Sequence, residues 1–244
     1  MSTLDPLIDV AGLTKTYAGR TVVTGVTFTV NPGDLVGLVG ANGGGKTTTL
    51  RLLAGLLRPD AGHGRVLGED VDEPRSRRRG RIGYMGQRLC LYPDLSVAEN
   101  LRFRARVFGL PRPARSVAET LARYGLAAVA DQRFGTLSGG WARRVQFAAC
   151  TLHAPPLLLL DEPTAGLDVR SRHDMWTWLA AQAAAGCGVV VSTHDLAEAQ
   201  RCPVILYYRD GLIQGPTTPG ALIARAGATT LEAAVLALAT AATI

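Results

Sequence analysis

The chain has 244 residues, of which 47% are apolar. That is enough for one large α/β domain, and too apolar for a disordered chain. It carries 26 basic and 20 acidic residues, a net charge of +6, and Arg supplies nearly all of the positive charge: Lys15 and Lys46 are its only lysines. An excess of this size permits attraction to phosphates or to an anionic membrane surface and proves neither. No apolar run approaches the roughly 20 residues needed to span a bilayer, and Met1-Ser2-Thr3-Leu4-Asp5-Pro6 lacks the basic-then-apolar order of a secretion signal. A cytoplasmic chain is the expectation. Cys90, Cys150, Cys187 and Cys202 show no C-x-x-C spacing, so reduced thiols are expected, with no disulfide framework or metal cage.

Residues 7–39 read as β-rich. Thr21-Val22-Val23 and Val26-Thr27-Phe28-Thr29-Val30 are β-branched runs, and Asn31-Pro32-Gly33-Asp34 is a turn. Leu35-Val36-Gly37-Leu38-Val39 has the near-continuous apolarity of a buried parallel strand. The next helix carries Leu50, Leu53 and Leu57 on one face and is expected to end at Arg58-Pro59. Residues 88–136 are rich in Arg and Ala and have helical patterning broken by Pro111 and Pro113. Val145, Ala148, Ala149 and Leu152 mark one face of a further helix, stopped by Pro155-Pro156. Residues 157–160 and 188–192 are apolar strands, and residues 204–214 read as a hairpin turning at Asp210-Gly211.

The chemistry concentrates at the ends of these strands. Gly40-Ala41-Asn42-Gly43-Gly44-Gly45-Lys46-Thr47 matches G-x-x-x-x-G-K-[ST], and Thr48 follows it. Such a loop needs glycines because backbone N–H groups must approach the phosphates, and side chains would block them. The helix that follows adds its positive N-terminal end. Lys46 suits the β- and γ-phosphates, and the Thr47 hydroxyl suits Mg²⁺. Leu157-Leu158-Leu159-Leu160 then delivers Asp161 and Glu162 to a strand's C-terminal end, where α/β proteins place ligands. Asp161 is the expected Mg²⁺ holder, and Glu162 the group that polarises the attacking water.

Together with Pro163-Thr164-Ala165-Gly166-Leu167-Asp168, this last element resembles the Walker B and D-loop of ATP-binding cassette (ABC) ATPases. Leu137-Ser138-Gly139-Gly140-Trp141 is similar to the LSGGQ signature of the same family, with Trp141 where Gln is usual. The resemblance covers most of the chain and adds further roles. Gln87, after Ile82-Gly83-Tyr84-Met85-Gly86, becomes the Q-loop glutamine that contacts Mg²⁺ and water. His194, in Ser192-Thr193-His194-Asp195, becomes the switch histidine at the γ-phosphate. Tyr17 becomes the aromatic ring that stacks on adenine. His63, His153 and His173 match no motif.

The resemblance implies a RecA-like P-loop NTPase core of α/β class with an antiparallel β lobe and an α-helical lobe, within one domain over residues 1–244. The β lobe and first half of the core would occupy 7–87, the helical lobe 88–136, the second half of the core 137–215, and a C-terminal tail 216–244. It implies ATP and Mg²⁺ as ligands. It also implies a head-to-tail dimer with a second copy or a paralogue, in which Ser138, Gly139 and Gly140 cap the nucleotide of the facing subunit. A groove near Gln87 and residues 102–106 would receive a membrane-spanning permease, and the chain would sit at the cytoplasmic face of the cell membrane. Trp141 would pack on the facing subunit or on ribose. The signature, the Trp176 helix, Gly211-Leu212-Ile213 and Thr230-Leu231-Glu232 look like exporters of the daunorubicin-resistance type. The competing class is a soluble ABC ATPase acting on ribosomes, nucleic acid or cluster assembly. Arg75, Arg77, Arg78, Arg79 and Arg81, with Arg102, Arg104 and Arg106, fit a solvated face, lipid headgroups or nucleic acid; nucleic acid is not an expected partner.

Overall fold

The computed structural model describes residues 5–73, 80–209 and 212–241. Arg75, Arg77, Arg78 and Arg79, and the Asp210-Gly211 turn, therefore lie outside the described residues.

Two sheets organise the chain. Strands β1 (Ile8–Tyr17), β2 (Arg20–Val30), β4 (Ala61–Val66) and β5 (Glu69–Asp70) form an antiparallel sheet in the order β2-β1-β4-β5. Strands β3 (Leu35–Gly40), β6 (Ile82–Met85), β7 (Leu157–Asp161), β8 (Gly188–Thr193), β9 (Val204–Arg209) and β10 (Leu212–Thr217) form the second, in the order β10-β9-β3-β8-β7-β6. It is parallel except for β10, which pairs antiparallel with β9.

The apolar runs become buried strands because both faces of this second sheet are covered. Side chains alternate along a strand, so Leu157 and Leu159 point one way and Leu158 and Leu160 the other. The first pair joins Ile8, Phe28 and Val36 in a core shared with the antiparallel sheet and with α1 (Lys46–Leu53). The second pair joins Val189 and Val191 in a core with α4 (Gly139–Thr151) and α5 (Val169–Ala184). All four leucines are fully buried. At about 1.5–3 kcal/mol for each buried aliphatic side chain, this strand is strongly held between the layers.

The residues between β6 and α4 are helical, as their pattern suggests. α2 (Val97–Val107) opens on a capping box: Ser96 Oγ accepts from the Glu99 N–H, and a Glu99 carboxylate oxygen accepts from the Ser96 N–H. α3 (Pro113–Arg123) begins on Pro113, whose missing N–H costs nothing in a first turn. Three boundaries depart from the sequence reading. α1 ends at Leu53, ahead of Arg58-Pro59, because Gly55 takes a left-handed φ of 66° and the Leu56 N–H turns back to the Arg51 carbonyl. α4 begins at Gly139, inside the Ser-Gly-Gly element, with Ser138 as its N-cap. The segment after β10 folds into α7 (Pro219–Arg225) and α8 (Leu231–Ala241), whose Leu222 and Leu231 are buried in the core, and the short α6 (Leu196–Ala199) follows β8. Among the described residues no helix is long and apolar enough to cross a membrane.

Candidate nucleotide site

The glycine-rich loop leaves the C-terminal end of β3, and its backbone is shaped by contacts that exclude side chains. A Cβ on Gly40, which has φ of 149°, would lie 2.2 Å from the Tyr208 carbonyl oxygen. One on Gly45, at φ of 103°, would lie 2.5 Å from the Val22 oxygen. Only glycine fits both. The loop closes over Lys46, whose ammonium donates to the carbonyls of Gly40 at 2.7 Å and Ala41 at 2.9 Å. Lys46 is almost fully buried. Burial lowers its pKa, and the Glu162 and Asp161 carboxylates oppose that shift. The cation is thus held within its loop, beside two acids.

Asp161 and Glu162 end β7, which β8 pairs in parallel. Ser192 on β8 fixes both acids. Its hydroxyl donates to Asp161 Oδ1 at 2.7 Å and accepts from the Glu162 N–H at 3.0 Å. The Thr47 hydroxyl donates to the same Asp161 oxygen at 3.0 Å. Glu162 adopts a φ of 48°, a left-handed conformation that costs a non-glycine residue about 1–3 kcal/mol. The surrounding hydrogen bonds hold this turn and aim the carboxylate at His194, whose Nδ1 lies 3.2 Å from Glu162 Oε1. The histidine is half-exposed, while the carboxylate is largely buried.

Lys46, Thr47 and Thr48 line one recess with Asn42, Gly43, Gly45, Gln87 and Glu162, and its volume is about 550 Å³. With Val22 and Arg143, which also line it, the recess brings together five separate sequence segments. Of the other expected residues, Gly40, Ala41, Asp161 and His194 do not line it but bond to residues that do, and Gly44 lies between two that do; two further sets do neither. Tyr17 sits at the end of β1, 42% exposed, with the Lys15 ammonium 5.8 Å above its ring. Ser138, Gly139 and Gly140 sit at the N-terminus of α4, where Ser138 makes no side-chain cap bond and no acid occupies the first turn. Ser138 and Gly139 are exposed. Asp168 likewise stands apart and caps α5, accepting from the Ser171 N–H at 2.9 Å and from its hydroxyl at 2.8 Å. Those bonds hold its carboxyl below the usual carboxylate range.

Trp141 has a partner within its own chain. The Arg144 guanidinium lies 5.3 Å from the centre of its indole and 5.4 Å from that of Trp178 on α5. The same guanidinium bonds Asp174 at 2.5 Å. The unusual indole therefore belongs to a clamp that joins α4 to α5.

Residues to which the sequence assigns no role also reach the site. Arg143 lines the recess, and Ser192 bridges both acids. Buried Glu198 on α6 accepts from Thr164 and Thr193, both at 2.8 Å, tying the segment after Glu162 to the segment before His194. Gln146 alone carried a sequence signal, since it is an amide inside the run Val145-Gln146-Phe147-Ala148-Ala149.

The protein-family description "ABC transporter" matches residues 23–165, more than half of the chain. The chain belongs to the ABC transporter family. It is an ABC ATPase that binds ATP. Among its relatives, Nod factor export ATP-binding protein I of Burkholderia orbicola (strain AU 1054) is 40% identical over 219 residues, which cover 88% of this chain and 72% of that protein. The protein of that name in Burkholderia pseudomallei (strain 1710b) is 42% identical over 196 residues, covering 80% and 64%. The probable multidrug ABC transporter ATP-binding protein YbhF of Escherichia coli (strain K12) is 36% identical over 216 residues, covering 87% and 37%. The ABC ATPase thus spans from about a third to under three quarters of these relatives' own lengths. Among solved structures, an ATP-binding subunit of an ABC transporter superposes with a TM-score of 0.86 at 29% identity, covering 96% of this chain and 99% of that one. A dimeric ATP-binding cassette in a post-hydrolysis state, bound to ADP and Pi, gives 0.78 at 26% identity, covering 86% and 98%. The RecA-like α/β fold and the ATPase class expected from the sequence are both upheld.

Proposed function

We propose that this ABC ATPase is the energy-supplying subunit of an exporter, driving substrate movement through a separate membrane-spanning permease at the cytoplasmic face of the membrane. The relatives' names, Nod factor export and multidrug transport, support the export reading. The observation that carries the catalytic part is the Glu162–His194 contact at 3.2 Å beside the Thr47–Asp161 bond. It sets a base and its orienting partner against a phosphate loop.

In this reading the loop amides and Lys46 bind the phosphates of ATP. Glu162 accepts a proton from water as the oxygen attacks the γ-phosphate in line, the bond from the γ-phosphorus to the bridging oxygen breaks and ADP leaves, and His194 holds the carboxylate and meets the phosphate edge. Thr47 and Asp161, with Gln87 nearby, form an all-oxygen donor set that suits Mg²⁺, an ion that prefers one or two carboxylates and substrate phosphates to an all-protein cage. When bound, Mg²⁺ supplies neutralisation of charge on the β- and γ-phosphates.

Tyr17 stacks on adenine in this reading. Ser138, Gly139 and Gly140 act on a different nucleotide: their exposed helix N-terminus suits an anion brought by a second subunit. A cavity of about 380 Å³ lined by Leu56, Arg104, Val107 and Phe108, with exposed Leu89, Tyr92 and Phe103 on the same lobe, suits an amphipathic helix of the permease.

Glu162→Gln tests the chemistry: turnover should vanish while ATP binding persists, and retained turnover contradicts the assigned role. Purification from solubilised membranes tests the setting. A multi-spanning protein should co-purify, and ribosomes or DNA in its place would contradict it.

A further inference from the structure

We propose that Arg143 and Gln146 are positioning residues that grip the backbone on both sides of Gln87, making α4 a rigid link between the nucleotide a chain binds and the one it caps. The inference rests on the proposed roles of Gln87 and Ser138. It adds the physical connection between them.

The grip is visible in three bonds. The Arg143 guanidinium donates to the Gly86 carbonyl at 3.3 Å. The Gln146 amide donates to the Arg88 carbonyl at 2.9 Å and to the Gly86 carbonyl at 3.4 Å. The carbonyls immediately before and after Gln87 are therefore both held by one helix face, since residues three apart on a helix are neighbours. Gln146 is 6% exposed, and its own amide oxygen is buried without a partner. A primary amide in an apolar helix face with half its hydrogen-bonding capacity unmet is poor for stability. Its bonds to the Gln87 segment account for its presence. Arg143 is half-buried in the recess lining; burial lowers its pKa, and the Asp161 and Glu162 carboxylates oppose that shift.

Between Arg143 and Gln146, Arg144 ties the same helix to Asp174 on α5. Ser138 and Gly139 open its first turn. From Ser138 to Gln146 is eight residues, about 12 Å of helix. A shift of the Ser138 end on meeting a partner's γ-phosphate thus moves the carbonyls around Gln87, and the converse holds as well.

The test is steady-state ATPase against ATP concentration for the purified chain, with nucleotide affinity measured separately by a fluorescent ATP analogue. Gln146→Met and Arg143→Met should each lower kcat about five-fold, the effect of one lost hydrogen bond, and reduce cooperativity in ATP. Analogue affinity should stay within about two-fold for Gln146→Met, since Gln146 does not line the recess. Arg143→Lys keeps a donor and should recover most of the loss. The double variant should be little worse than the poorer single one, since both act on the same segment. Wild-type kcat and cooperativity in both Met variants would overturn the proposal. Fully additive losses, or no rescue by Arg143→Lys, would also overturn it. If Gln146→Met does not fold, the Arg143→Met and Arg143→Lys pair decides alone. Gln87→Ala and Ser138→Arg are run beside them. If those leave turnover intact, the underlying reading fails; if they abolish it while the Met variants do not, only the link fails.

Discussion

Trp141→Gln restores the residue usual at the fifth signature position, and the structure predicts that it weakens this chain. Arg144 lies between two indoles and bonds Asp174. Removing one indole forfeits a cation–π contact of about 0.5–1 kcal/mol. Trp141 is also half-buried against the core, so loss of its apolar contact adds about 1 kcal/mol. A total of about 2 kcal/mol corresponds to a fall in Tm of about 4–8 °C for a chain of this length. Circular dichroism melts of Trp141→Gln, Arg144→Met and the double variant measure this directly. The two changes should be coupled by about 0.5–1 kcal/mol, because each removes the same contact. ATP affinity at the phosphate loop should not move, since Trp141 does not line that recess. An unchanged Tm, or strictly additive losses, would refute the clamp.

Two further outcomes follow from the site and its surroundings. Ser192→Ala removes the hydroxyl that holds Asp161 and the Glu162 N–H; a charge-assisted bond of about 1.5–3 kcal/mol predicts a fall in kcat of at least about ten-fold with the fold retained. Single-turnover measurement checks it, and a wild-type rate contradicts it. His153 stacks on Phe108 at 3.8 Å, and burial, aided by the charge of Arg104, pushes its pKa down to about 4. The neutral ring is favoured in the fold, so its contribution is complete above the unfolded value of about 6.5 and is lost as pH falls from there towards 4, an upper bound of about 3 kcal/mol. Urea midpoints for His153→Leu should therefore depend less on pH across that interval than those of the natural chain. Identical pH dependence would contradict this.

The parts of the site that are contiguous in the chain were legible without coordinates. A phosphate loop needs glycines, a lysine and a hydroxyl in one short run, and a buried strand ending in two acids announces itself by its leucines. What was hidden depends on tertiary proximity. Arg143 and Gln146 reach Gly86 across 57 and 60 residues, and no periodicity marks such a meeting. Ser192 opens the Ser-Thr-His-Asp stretch, but its hold on the two acids shows only once β8 lies beside β7. The clamp on Trp141 is hidden because Arg144 shares its guanidinium with Trp178, which lies on a different helix. α1 ends ahead of the louder stop signal, Arg58-Pro59, because Gly55 closes the helix first. The helices after β10 give little sequence signal because their Ala-rich pattern has weak amphipathic contrast, although Leu222 and Leu231 anchor them.

The central claim is that one chain's nucleotide is completed by another chain's Ser138, Gly139 and Gly140. Sedimentation velocity of the Glu162→Gln chain tests it most directly, because the blocked base preserves ATP. Monomers are expected with ADP, and dimers with ATP and Mg²⁺. Adding Ser138→Arg should return the ATP-bound chain to monomers without loss of nucleotide binding. Monomers throughout, or ATP-bound dimers that tolerate Ser138→Arg, would contradict it.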